Sequence, residues 1–145
     1  MSKTKPIGNI DHVVVAVRSI EKYMAFFSEL LNTEFVEIGS DPNVGYRSVM
    51  SSSNGLELIE PTRPDSDVAK FIDKRGEGMY ALAFVANDAD KARLQAEKMG
   101  VRVVGDFTAD DEPIKGLREM WLHPKDCAGV YLMFTAGNPF RPRYE

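Results

Sequence analysis

The chain has one cysteine, two histidines and one tryptophan in 145 residues. With Cys127 alone, no internal disulfide can form and no cysteine cluster can hold zinc. No apolar run approaches the roughly 20 residues that span a bilayer. The opening MSKTKPIGNID lacks the apolar core of a signal peptide. A net charge of -4 gives no basic surface, so neither nucleic acid nor an anionic membrane is expected as a partner. No Gly-rich phosphate loop, Ser-His-Asp set or basic-aromatic stripe is present. What is present, 43% apolar residues, is enough to pack one core, and a soluble, cytoplasmic protein is expected.

The residues then fall into a repeat. NIDHVVVAV (9–17) reads as a strand with Ile10, His12, Val14 and Ala16 on one side and Asp11, Val13, Val15 and Val17 on the other. Both sides are largely apolar, so both are expected to be covered. Ser19 offers an N-cap to a helix from Ile20 to Leu31, whose apolar stripe is Ile20, Met24, Phe27 and Leu31, widened by Tyr23, Phe26 and Leu30. Three extended pieces follow: 34–39, 45–50 and 55–61. A connector helix runs from a Ser66 cap to Arg75, with Val68, Phe71 and Ile72 inward and Gly76 at its end.

The same order then recurs. Tyr80 to Ala86 is a strand, Asn87 or Asp88 caps a helix with Ala89, Ala92, Ala96 and Met99 on one stripe, and Gly100 ends it. Strands at 101–107, 118–124 and 129–135 complete the second copy. Strand, helix and three strands, twice over, predicts two βαβββ modules. Their bounds are about 9–61 and 78–136, with a connector at about 65–76 and a Pro- and Arg-rich tail at 137–145 that is expected to reach over a neighbouring surface, all in one domain over 1–145.

Three segments carry a family resemblance: IDHVVVAVRSIEKYMAFF, LELIEPTRPDSDVAKFIDKRGEGM and WLHPKDCAGVYL. They resemble the vicinal oxygen chelate superfamily of glyoxalases, bleomycin-resistance proteins and dioxygenases, and within it the methylmalonyl-CoA epimerases. The resemblance covers about residues 9–136. It implies an α+β fold whose two tandem βαβββ modules form a cup-shaped mixed sheet, a homodimer, and a small organic molecule as ligand or substrate. It also implies two metal ligands from each module, at His12 and Glu57 in the first and at Ala81 and Met133 in the second.

Those last two positions carry no suitable donor. Alanine offers no lone pair, and a methionine thioether is a poor partner for hard divalent cations. No metal or other cofactor is therefore expected, and the four positions read as a vestigial ligand set. Cobalt, manganese, zinc or nickel returns only if replacement ligands come from elsewhere. The family's two catalytic glutamates are also missing: Asn43 or Val44 falls near one position, Met133 is the other, and Asp41 is the nearest acid left.

The leading expectation is a divergent epimerase-like protein, a metal-independent isomerase or lyase for a small organic acid or acyl thioester, with His12 and Glu57 as its acid/base pair. The alternatives are a binding or sequestering protein like the bleomycin-resistance proteins, a metal-dependent epimerase with replacement ligands, and a purely structural His12–Glu57 pair. Arg47, Ala81, Tyr131, Met133 and Lys125 are expected around the ligand. Arg47 is a candidate partner for Glu57, and Lys125 either meets an acyl-CoA-like anion or is an exposed turn lysine. The acidic run 108–116 reads as a solvated loop or a lid.

Overall fold

The computed structural model describes residues 5–41, 43–51 and 53–140. Its elements are β1 (Ile7–Ala16), α1 (Ile20–Leu30), β2 (Val36–Asp41), β3 (Tyr46–Ser51), β4 (Leu56–Pro61), α2 (Asp67–Arg75), β5 (Gly78–Ala86), α3 (Ala89–Lys98), β6 (Val103–Thr108), β7 (Arg118–Leu122) and β8 (Tyr131–Ala136). A single 3-10 turn, Pro124–Asp126, precedes β8. This is the α+β order of two βαβββ modules. None of the helices among the described residues is long and apolar enough to cross a membrane.

Two compact units divide the chain. Among the described residues, one comprises His12–Tyr80 with Phe140, and the other 5–11 with Ala81–Pro139. The stretch 5–11 therefore belongs with the second module.

In the first unit β1 runs parallel to β4, β4 antiparallel to β3, and β3 antiparallel to β2. Alternation sends Val15 and Val17 of β1 and its extension toward α1. There Val17, Ile20, Val49 and Leu58 form a buried cluster with Met24, Phe27 and Phe35 packed against it. Burying each large aliphatic side chain contributes about 1.5–3 kcal/mol. Ser19 caps α1 by accepting a hydrogen bond from the Lys22 backbone N–H at 3.2 Å. The apolar stripe of α1 is narrower than its sequence suggests, since Phe26 and Leu30 are exposed and Leu31 is the C-cap. Ser66 caps α2, which buries Val68, Ala69 and Ile72. Gly45, with φ +73°, opens the turn into β3. A side chain there would strike the Cβ of Ser66 at 2.8 Å.

The second unit repeats the plan. β5 runs parallel to β8, β8 antiparallel to β7, and β7 antiparallel to β6. Even the irregularities recur, with a register shift between Glu37 and Gly39 in β2 and another between Val103 and Gly105 in β6. Ala92 and Ala96 of α3 pack on Met120, Leu122 and Phe134. Of the two candidate caps, Asp88 accepts from the Lys91 N–H at 3.1 Å. Asn87 instead ties residues 5 and 6 to the unit: its side-chain amide donates to the Lys5 carbonyl and its backbone N–H to that of Pro6. Met99 leaves the expected stripe and is exposed at the C-cap.

Candidate functional site

The strand alternation that sends Val15 and Val17 to α1 turns His12, Val14 and Ala16 the other way. Register then decides what joins them. Val14 lies opposite Glu57, and Glu57 opposite Met50. On the face away from α1, His12 Nε2 stands 3.1 Å from Glu57 Oε1. The Ser48 hydroxyl donates to Glu57 Oε2 at 2.9 Å. The His12 side chain is 0% exposed and that of Glu57 11%. A carboxylate this buried needs polar partners to offset desolvation: the serine gives one oxygen a hydrogen bond, and the imidazole stands at ion-pair distance from the other without hydrogen-bond geometry. The result is an imidazole and a carboxylate side by side in a buried setting, two groups that can each carry a proton.

The second module shows what this face looks like without the pair. Ala83 lies opposite Met133 in β5–β8, as Val14 lies opposite Glu57 in β1–β4. Two residues earlier in each first strand stand His12 and Ala81. The register thus equates Ala81 with His12 and Met133 with Glu57, as the sequence comparison implied. Both replacements are buried. Among the described residues no group of three or more His, Cys, Asp or Glu side chains stands where it could hold a metal ion. His12 and Glu57 are turned on each other, and Ala81 and Met133 add no hard donor. The residues present do not fit a four-ligand divalent site.

The remaining expected site residues are dispersed. Arg47 is not the partner of Glu57. Alternation from Ser48 sends it to the α1 side, where Nε and Nη2 bind the two oxygens of Glu37 at 2.8 and 3.0 Å and Nη1 binds Glu21. These two carboxylates hold the Arg47 guanidinium well above its ordinary pKa, Glu37 first. Tyr131 stacks edge-on against Trp121 with ring centroids 4.7 Å apart. Lys125 is exposed in the 3-10 turn, with its backbone N–H donating to His123 Nδ1. Cys127 is half-buried, and burial, then the Asp126 carboxylate, push its thiol pKa up, as an unreactive cysteine requires. Residues 109–117 close as a loop through backbone bonds Ala109 N–H to Leu117 O and Gly116 N–H to Ala109 O, both 2.8 Å. The side chain of Asp41 and the end of the expected tail, Arg141–Glu145, lie outside the described residues.

Two contributors escaped sequence reasoning. Ser48 is one, because its pairing with Glu57 depends on the register of a hairpin. Glu119 is the other: a buried carboxylate on β7, opposite Thr135. The alternation of REMWL, with Met120 and Leu122 on the helix side, was a usable signal that Glu119 turns the other way.

Known proteins agree with this architecture. The sequence model of the Glyoxalase/Bleomycin resistance protein/Dioxygenase superfamily matches residues 11–115. Human mitochondrial methylmalonyl-CoA epimerase is 28% identical over 130 residues, covering 86% of this chain and 71% of that protein. A Streptomyces coelicolor methylmalonyl-CoA epimerase variant, solved in complex with 2-nitronate-propionyl-CoA, superposes with a TM-score of 0.79. It is 32% identical, and the match covers 90% of this chain and 98% of that one. The Mycobacterium tuberculosis methylmalonyl-CoA epimerase structure gives a TM-score of 0.83 at 27% identity, over 96% of this chain and 94% of that one. With its double βαβββ order and a family match over most of its length, the chain belongs to the Glyoxalase/Bleomycin resistance protein/Dioxygenase superfamily, among relatives that include methylmalonyl-CoA epimerases.

Proposed function

We propose that the protein is a metal-independent isomerase or lyase acting on a small organic acid or acyl thioester, with His12 and Glu57 as its acid/base pair. The observation that carries this reading is the buried contact of His12 Nε2 with Glu57 Oε1 at 3.1 Å, completed by the Ser48 hydroxyl on the other carboxylate oxygen. Glu57 orients the imidazole and balances the charge it gains on taking a proton, and His12 accepts and returns that proton next to a carbonyl. Relatives solved with methylmalonyl-CoA and with 2-nitronate-propionyl-CoA support an acyl thioester as the substrate class. The family resemblance adds a homodimer of this chain to the proposal.

The test is hydrogen–deuterium exchange at the α-carbon of methylmalonyl-CoA in D2O, followed by NMR with chelator-treated protein. Exchange should persist after chelation and fall by about 100-fold or more in His12→Ala, the usual scale of a lost general base. Exchange that vanishes with chelation and returns with cobalt would overturn metal independence. A second reading, binding without chemistry, is favoured by the complete burial of the His12 side chain. It predicts saturable binding of the same thioester with no exchange above the rate in buffer.

A further inference from the structure

The turn between β3 and β4 holds Asn54 next to Gly55. Of the chain's asparagines, only Asn54 is followed by glycine. A glycine has no side chain to keep its nitrogen from the asparagine side-chain carbonyl, so this is the pairing in which an asparagine most readily closes on its own backbone. The fold needs the glycine, because Gly55 has φ +68°, a left-handed conformation that other residues enter at a cost. Asn54 is exposed, so water reaches it. Both groups that would react are tied to one residue. The Gly55 N–H donates to the Ser51 carbonyl at 2.9 Å, and the Ser51 hydroxyl donates to Asn54 Oδ1 at 3.1 Å. Ser51 is itself fully buried. A serine hydroxyl has one hydrogen. Ser51 gives its own to Asn54, so Thr33 donates to Ser51, and Ser53 in turn donates to Thr33. The Thr33 backbone N–H is bonded to the Ser28 carbonyl of α1, so the network anchors the turn to the end of that helix.

We propose that Asn54 is a site of spontaneous chemical modification, conversion to aspartate and isoaspartate, and that Ser51 holds it in check. The Gly55 nitrogen gives its proton to a solvent base, and its lone pair forms a bond to Asn54 Cγ. The Cγ–Nδ2 bond breaks, and ammonia leaves with a proton taken from water. Water then opens the cyclic imide. Addition at Cγ gives aspartate. Addition at the backbone carbonyl carbon gives isoaspartate, with one more carbon in the main chain. The sum is one water consumed and one ammonia released, with nothing oxidised or reduced. For the bond to form, the nitrogen must leave the Ser51 carbonyl and the amide must leave the Ser51 hydroxyl, so the reaction proceeds from a locally opened turn. The product matters because this turn sets the register of β3 on β4, and that register brings Ser48 within reach of Glu57.

The test incubates the whole protein at mildly alkaline pH and body temperature, folded and in urea. Electron-transfer fragmentation of the peptide that contains residue 54 separates asparagine, aspartate and isoaspartate. In urea the products should build up at residue 54 ahead of every other asparagine. In the folded protein they should form about tenfold or more slowly, as two hydrogen bonds that open together imply. Ser51→Ala removes the side-chain bond and leaves the backbone one, and should speed the folded reaction about fivefold. Circular dichroism checks that this variant is folded, and if it is not, the folded and unfolded wild-type rates decide alone. No product at residue 54 in urea, equal rates in folded and unfolded wild type, or a folded Ser51→Ala that reacts at the wild-type rate would overturn the proposal. The readout uses neither thioester nor proton exchange, so it and the His12–Glu57 chemistry can fail separately.

Discussion

Arg47 in the first module and Arg118 in the second make the same three-way bridge. Each grips a carboxylate on the outer strand of its module with two nitrogens, Glu37 on β2 and Asp106 on β6. Each reaches with Nη1 to an acid in the first helical turn, Glu21 on α1 and Asp90 on α3. On the sheet face away from the helices the modules part company: His12 and Glu57 stand where the second module has Ala81 and Met133. The helix side shares one frame in both copies. The other side is where the copies are free to differ, which is what a functional face built on a structural repeat looks like.

The largest expected effect separates stability from function on that face. His12→Ala leaves Glu57 buried with only Ser48 and should cost about 3 kcal/mol or more in urea unfolding. Giving the first module both residues of the second, His12→Ala with Glu57→Met, should recover most of that loss, because an apolar pair of suitable volume commonly equals a buried ion pair. If the double variant stays as unstable as the single one, the pair holds the module together and the comparison breaks.

The frame gives the next effects. Hydrogen bonds from Arg118 hold the Asp106 carboxyl down to about 2, against burial and with help from Arg93. A depressed carboxyl stabilises the fold above its unfolded value of 3.8 and loses that contribution as pH falls through the folded value. Asp106→Asn should therefore cost about 1–2 kcal/mol at neutral pH, and its gap from wild type should close between about pH 4 and pH 2 in acid unfolding. The caps come next and should match: Ser19→Ala and Asp88→Ala each lose about 1 kcal/mol by thermal unfolding. Glu37→Gln should be mildest, below about 0.5 kcal/mol, because the Glu37 side chain is 52% exposed where that of Asp106 is 16%.

Much of the fold was legible because local chemistry set it. Ser19, Ser66 and Asp88 stand before apolar periodicities as caps, and each caps its helix in the structure. The His12–Glu57 positions were legible through the repeat and the family segments. Arg47 was not, because which side of β3 it occupies depends on a register that strand composition leaves open. Ser48 was missed for the same reason, whereas Glu119 was legible in the alternation of REMWL. Phe26, Leu30 and Met99 looked like core because helical spacing marks an apolar stripe without saying how much of it the sheet covers.

The Asn138 side-chain amide donates to Asp11 Oδ2 at 2.8 Å across 127 residues of chain. Asp11 is buried and directly precedes His12. Translation at roughly 5–20 residues per second puts the making of those two partners roughly 6–25 s apart. The ribosome thus delivers β1 well before it supplies this anchor. For that interval the strand that carries the candidate base is complete in sequence and unfinished in structure, so a nascent chain arrested before residue 138 would hold His12 next to an aspartate still lacking this amide.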